Sequence, residues 1–188
     1  LFVVLLQSVV QVAHPFITPY LLQLRGLSYD EYVISMSAIF IAKIVTLAPF
    51  GALATRFGAG ALLMGGAICL APIPLLLLPE AKVGYYFVIQ FFHGAAWAAV
   101  ELGTLLLMLE RIPEVERTSL LTKYNLLVYL AMLIGSTIGG AILQAAPGET
   151  AYANLFSISA LLRGMMLIVS IGLVRFALRG RPQEGPAA

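Results

Sequence analysis

The stretch Val83–Leu109 reads VGYYFVIQFFHGAAWAAVELGTLLLML, and it decides the class of fold. A helix crosses the hydrocarbon core of a bilayer with about 20 mainly apolar residues, each adding about 1.5 Å of length. This run exceeds that length, and its one residue of the Asp, Glu, Lys and Arg set is Glu101. The stretch is therefore predicted to be a transmembrane helix.

The composition of the whole chain supports a membrane protein. Of its 188 residues, 61% are hydrophobic and 11% are charged, whereas soluble domains carry about 25% charged residues. A soluble domain of this size could not bury so much apolar surface, so we expect the lipid bilayer to be the main partner. The net charge of +2 is too small to indicate nucleic-acid binding, and the single cysteine, Cys69, excludes a disulfide framework.

Five further segments are long and apolar enough to span a membrane. They are Leu1–Leu24, Tyr29–Ala54, Ala59–Leu78, Ser119–Gln144 and Ala151–Leu178. The polar breaks are Arg25–Ser28, Thr55–Gly58, Pro79–Lys82, Glu110–Thr118 and Ala145–Thr150. Because the breaks are short, successive helices must be antiparallel neighbours. We predict an all-α polytopic fold, with a six-helix bundle over residues 1–178 and a cytoplasmic C-terminal tail over residues 179–188.

Local signals mark some of these helices. Ser28 and Glu31 have the Ser-x-x-Glu spacing of a capping box, which predicts a helix start. Prolines that should interrupt spans are Pro15, Pro19, Pro49, Pro72 and Pro74. Gly135, Gly139 and Gly140 form a small-residue face that should let two helices approach closely.

Loop cations indicate the orientation, because they are enriched on the cytoplasmic side. With the N-terminus and the even-numbered loops on one side, that side holds Arg56, Arg111, Arg117, Lys123, Arg175, Arg179 and Arg181. The other side holds Arg25 and Lys82. This predicts an integral membrane protein with both termini in the cytoplasm, in the plasma membrane (the inner membrane of a bacterium). Since the chain is apolar from Leu1 onwards and does not begin with Met, we expect further sequence upstream.

Polar residues fall on single faces of two spans, which indicates a shared aqueous cleft. The first span carries Gln7, Gln11 and His14, and the fourth carries Gln90, His93, Trp97, Glu101 and Thr104. In the fifth span, Asn125 and Tyr129 are further candidates. We predict that Gln7, Gln11, His14, Gln90, His93, Trp97, Glu101, Asn125 and Tyr129 line a cavity for a small-molecule substrate. The alternative is that these side chains only join helices to one another.

Ionisable side chains inside the spans are candidates for ion coupling, because a charge at mid-bilayer is costly without a partner. Counted from the span ends, Glu101 and Lys43 lie at depths of about 27 and about 20 Å, which a lysine side chain could bridge. A pair of Glu101 with Lys43 or with Arg163 is therefore a hypothesis. His93 lies on the same face as Glu101 and could share a proton with it. Protons or Na⁺ are the candidate coupling ions.

The loops resemble a known family. Gly51-Ala52-Leu53-Ala54-Thr55-Arg56-Phe57-Gly58 is similar to the G-x-L-a-D-R-x-G loop of the major facilitator superfamily. Gly26-Leu27-Ser28 looks like that family's turn before a capped helix, and Pro113-Glu114-Val115-Glu116-Arg117 is similar to its P-x-x-x-R loop. The resemblance covers nearly the whole chain and implies that Gly51, Arg56, Gly58 and Arg117 form conformational loops.

The resemblance also has implications for architecture. Full members have twelve spans in two halves, each made of two inverted three-helix repeats, which implies that this chain is one half. Thr55 stands where the family has aspartate, and Ala59-Gly60-Ala61 replaces its basic run. This weaker motif resembles the one in the C-terminal half of family members. Because the aspartate is missing, the resemblance does not imply a gating salt bridge built on this loop. The missing half, or a second copy, is then the expected partner.

Transport of a small solute by alternating access, coupled to an ion, is the predicted function. The sequence has no H-E-x-x-H or G-x-S-x-G motif and no pair of aspartates in its spans, so no catalytic, metal-binding or cofactor-binding residues are predicted. A non-transporting membrane receptor or assembly subunit built on the same bundle is the alternative. It would need no wet cleft.

Overall fold

The computed structural model describes the backbone of residues 1–179 and the side chains of residues 1–170, and these residues form helices and short connections without strands. The six helices are α1 Phe2–Leu24, α2 Tyr29–Phe57, α3 Ala59–Leu76, α4 Val83–Arg111, α5 Glu114–Gln144 and α6 Gly148–Arg179. Each is long and apolar enough to cross a membrane. This confirms the predicted all-α fold of six spans. The predicted tail lies almost wholly outside the described residues.

Two helices begin earlier than predicted. Helix α5 starts at Glu114, inside the predicted break Glu110–Thr118, and α6 starts at Gly148, inside the predicted break Ala145–Thr150. Charged residues were interpreted as loop, but acidic side chains are stabilised in the first turn of a helix by its dipole. Glu114 and Glu149 lie in such first turns. Helix length here is therefore not limited to the apolar segment.

Prolines break α1 and α3 but not α2. After a regular helix over Phe2–Gln11, α1 continues through a 3₁₀ turn at His14–Phe16 and a π-helical turn at Tyr20–Leu24. Helix α3 is interrupted after Leu70 and resumes at Ile73–Leu76. Proline removes one backbone donor, so the interruptions leave carbonyl groups that need other partners. Helix α2 runs through Pro49 without interruption.

The predicted capping box at the start of α2 is confirmed. The Ser28 hydroxyl accepts a hydrogen bond from the Glu31 amide at 3.3 Å, and the Glu31 carboxylate accepts one from the Ser28 amide at 2.9 Å. Both amides would otherwise lack partners at the helix terminus. The box fixes where α2 begins after the short first loop.

The helices pack in the pattern expected of two three-helix repeats. Helix α4 packs along α2 and α3, and the equivalent α1 packs along α5 and α6. Since successive helices alternate in direction, α1 and α4 are antiparallel, as inverted repeats require. The arrangement agrees with half of a major facilitator fold, and it puts α1 and α4 next to the centre of the bundle.

Glycines permit the close packing of α1 against α5. A Cβ atom added at Gly135 would collide with the Ser8 carbonyl oxygen, and one added at Gly139 would collide with that of Val12. The small-residue face predicted for α5 is thus confirmed at these two positions. At Gly140 a Cβ atom would lie 3.8 Å from the Phe16 ring, an ordinary contact.

Candidate functional site

A cavity of about 370 Å³ opens between α1, α2, α4 and α5. Its lining residues are Gln7, Gln11, His14, Ile39, Phe40, Lys43, His93, Trp97, Glu101 and Met132. The polar faces of α1 and α4 therefore meet at one cavity, as the two stripes in the sequence predict. Six of the nine residues predicted to line a cavity are among them, together with Lys43 of the predicted charge pair.

Three predicted residues lie elsewhere. Gln90 is 1% exposed, and its amide oxygen lies 3.0 Å from His93 Nδ1. Asn125 and Tyr129 on α5 are exposed and do not line this cavity, to which α5 contributes Met132 instead. Polar spacing in the sequence indicates polar lining residues only, so an apolar lining residue has no such signal.

Two further apolar lining residues were also missed, although the sequence holds a signal for them. Ile39 and Phe40 precede Lys43 on α2 by four and three residues, which places all three on one helical face. Both residues are predictable from the rule that side chains one helical turn from an ionisable residue share its face. The cavity is therefore polar on α1 and α4 and largely apolar on α2 and α5.

Lys43 and Glu101 form an ion pair that joins α2 to α4. The Lys43 ammonium donates to both carboxylate oxygens, at 2.7 and 2.9 Å. Their side chains are 34% and 54% exposed, so the pair faces open space rather than the packed core. Pairs of this exposure are weak in water.

His93 lies at the centre of a buried chain of polar contacts on α4. The Trp97 indole N–H donates to His93 Nε2 at 3.0 Å, and His93 Nδ1 lies 3.0 Å from the Gln90 amide oxygen. The His14 ring of α1 packs edge-on against the His93 ring, with centroids 5.8 Å apart. Within the described residues, no three His, Cys, Asp or Glu side chains come close enough together to hold a metal ion.

Arg163 does not join the charge pair. It is 2% exposed and donates to the Leu70 carbonyl at 2.7 Å and to the Val10 carbonyl at 3.2 Å. In a regular helix the amide four residues on would bind the Leu70 carbonyl, but that residue is Pro74, which has no N–H. Arg163 supplies the missing donor. Its buried Nε has no hydrogen-bond partner among the described residues.

The predicted conformational-loop residues lie at one end of the bundle. Gly58, with φ of 88°, forms the junction between α2 and α3, a backbone conformation that favours glycine. Gly51 lies within α2, and the Arg56 guanidinium sits 5.0 Å from the Phe57 ring centroid. Arg117 donates to the Ile112 carbonyl at 3.1 Å, near the end of α4. Arg117 therefore caps a helix terminus.

Arg25 forms a cluster of contacts at the opposite end of the bundle, which the sequence does not predict. Arg25 donates to the Tyr20 hydroxyl at 2.8 Å and to the Leu78 carbonyl, and its guanidinium pairs with Glu149 at 2.9 Å. These contacts join the α1–α2 loop to the α3–α4 connection and to the start of α6. Arg25 therefore ties together this end of the bundle, a role that loop composition alone does not indicate.

If Arg163 replaces the backbone donor that Pro74 lacks, the stability lost on Arg163→Met should depend on Pro74. Arg163→Met should destabilise the chain because the Leu70 carbonyl loses its donor. In a Pro74→Ala background the new alanine amide can bind that carbonyl. The loss on Arg163→Met should then shrink by about 1 kcal/mol, the net value of one hydrogen bond. Thermal unfolding of the four variants in detergent measures this coupling.

Pro49→Ala is the matched control, because Pro49 lies within α2 and frees no carbonyl that Arg163 binds. It should leave the cost of Arg163→Met unchanged. Strict additivity of Arg163→Met and Pro74→Ala would show that Arg163 does not replace the missing proline donor.

Comparison with known proteins identifies one family. The model of the Major Facilitator Superfamily matches residues 1–188, the whole chain. No curated protein and no solved structure matches the chain at a significant level.

Proposed function

The chain belongs to the major facilitator superfamily, and from that premise we propose that it moves a small solute by alternating access, coupled to an ion, as one half of the transporter. Membership identifies it as an integral membrane protein of a transporter family. The proposal rests on the cavity, where polar side chains from α1 and α4 collect inside a mainly apolar bundle.

The cavity lining suits a small solute with both polar and apolar parts. Gln7 and Gln11 offer amide donors and acceptors, and His14 offers a ring nitrogen. Phe40 and Met132 supply apolar surface on the other walls. A volume of about 370 Å³ is at the lower end of small-molecule sites.

A second six-helix unit would complete the site. The cavity is lined from one side only, and α2 and α5 expose apolar residues beside it. These include Phe40, Ile44, Leu47, Leu130, Leu133 and Ile134. A missing half or a second copy packed on α2 and α5 would close the cavity into a binding site between two halves. Movement of one half against the other would then expose the site to each side in turn.

The Lys43–Glu101 pair is the proposed coupling site. Glu101 is held by Lys43 in this structure, yet both side chains face open space. A proton that binds Glu101 removes its negative charge and frees Lys43, whereas Na⁺ would compete with the ammonium for the carboxylate. Either event exchanges one partner of Glu101 for another and changes the contact between α2 and α4. Ion binding could thereby be linked to helix movement.

This proposal predicts a specific loss in Glu101→Gln. In the complete transporter, the variant should fold and exchange substrate across the membrane but fail to accumulate it against a gradient, because the titratable carboxylate is gone. Uptake and counterflow in vesicles, with a substrate identified by an uptake screen, measure the two activities. Glu110→Gln, an exposed change at the end of the same helix, should accumulate substrate normally.

Two other results are informative. Poor folding of Glu101→Gln that Lys43→Met partly repairs would show a permanent structural bridge instead of a coupling site. Normal accumulation by a stable Glu101→Gln protein would contradict both roles.

Both termini are proposed to lie in the cytoplasm of a plasma membrane, the inner membrane if the source is a bacterium. The support is the charge bias, with seven loop and terminal cations on the side of the termini and two on the other. Reporter fusions at Pro182 and at Lys82 should report opposite compartments. The same compartment for both fusions would contradict this topology.

A further inference from the structure

The contact between Trp97 and His93 fixes the state of the histidine ring. An indole N–H can only donate, so His93 Nε2, at 3.0 Å, must accept and can carry no proton. A neutral imidazole has one N–H, which must then be on Nδ1. The Gln90 amide oxygen lies 3.0 Å from Nδ1 and accepts that proton. The orientation of the Gln90 amide follows from the same argument, because its nitrogen could not pair with an Nδ1–H group.

The hydrogen bonds in this series of side chains all have the same direction. Trp97 donates to His93, His93 to Gln90, and the Gln90 amide to Met36 Sδ of α2 at 3.6 Å. His93 and Gln90 are 2% and 1% exposed, so water cannot replace a partner that is lost. The three hydrogen bonds therefore form one continuous series from Trp97 on α4 to Met36 on the neighbouring helix α2.

We propose that His93 is a positioning residue, held as the neutral Nδ1–H tautomer, that fixes the Trp97 indole in the cavity wall. A second proton on His93 would occupy Nε2 and break the bond to Trp97, so protonation and the observed position of the indole exclude each other. This differs from the role in proton sharing that the sequence suggests for His93. Trp97 then presents a fixed aromatic face to the solute, which makes it a residue that determines specificity.

The other histidine of the chain, His14, lies at the cavity. Its ring is exposed at the cavity and forms no hydrogen bond within the described residues. The charged and titratable groups that face His93 are His14 of α1, Lys43 of α2 and Arg163 of α6, with Glu101 two turns further along α4. The relevance to solute binding rests on the proposed function, whereas the tautomer of His93 does not.

The composition of the chain makes the test direct, because it contains two histidines and one tryptophan. Long-range ¹H–¹⁵N spectra of the purified chain, labelled at histidine, resolve both rings and their tautomers. One ring should show the Nδ1–H pattern, unchanged from about pH 6 to about pH 8, the range in which an ordinary histidine titrates. His14→Gln should remove the signals of the other ring and leave this pattern in place.

An Nε2–H pattern for His93, or titration of His93 across this range, would overturn the proposal. Neither result depends on transport. The proposed function could therefore fail while the tautomer holds, and the reverse is equally possible.

Fluorescence of the single tryptophan tests the positioning role independently. His93→Leu removes the acceptor, so Trp97 emission should shift to the red and its anisotropy should fall. His93→Gln, whose side-chain oxygen can accept the indole proton, should restore much of both values. Phe92→Leu, at an exposed position on another face of α4, is the control and should leave them unchanged. Unchanged Trp97 emission and anisotropy in a folded His93→Leu protein would show that His93 does not hold the indole.

Discussion

Lipid cannot form hydrogen bonds, so each polar group inside the bundle needs a partner from the protein or from water in a cavity. Regular helices meet this demand for most of the backbone. Where prolines interrupt α3, the demand passes to a side chain, and Arg163 donates to the Leu70 and Val10 carbonyls. The fold therefore accommodates a buried guanidinium because it supplies the donor that the interrupted α3 lacks. The same constraint explains the chain of donors that runs from Trp97 on α4 to Met36 on α2.

Polar side chains without such structural roles lie at the cavity. Gln7, Gln11 and His14 of α1 face it together with Lys43 and Glu101. Placing these polar groups inside a membrane costs free energy. Apolar side chains could occupy such positions instead, as they do along the packed surfaces of α3. A cluster of costly groups at one opening, on α1, α4 and the adjacent α2, is what the proposed solute pathway requires.

Much of this arrangement is predictable from the sequence. Apolar length and short polar breaks define the six spans, Ser28 and Glu31 define a helix start, and helical spacing places the two polar faces. The sequence does not reveal that Arg163 binds carbonyl groups or that Arg25 joins three segments, since backbone acceptors have no sequence pattern. Asn125 and Tyr129 do not line this cavity, and the fifth span has too few polar residues to define a face. The choice between Lys43 and Arg163 as partner of Glu101 required the packing of α2 on α4.

The proposed transport requires that α1 and α4 line a water-filled cavity within the membrane. Cysteines introduced one at a time at positions 11, 97 and 92 of a Cys69→Ser chain, probed with a membrane-impermeant thiol reagent in vesicles of both orientations, test it directly. Gln11 and Trp97 line the cavity, whereas Phe92, 60% exposed, lies about 140° around α4 from Trp97 at about 100° per residue. A water-filled cavity should give labelling at positions 11 and 97 and none at 92, which lipid covers. Protection of positions 11 and 97 in both orientations would contradict it.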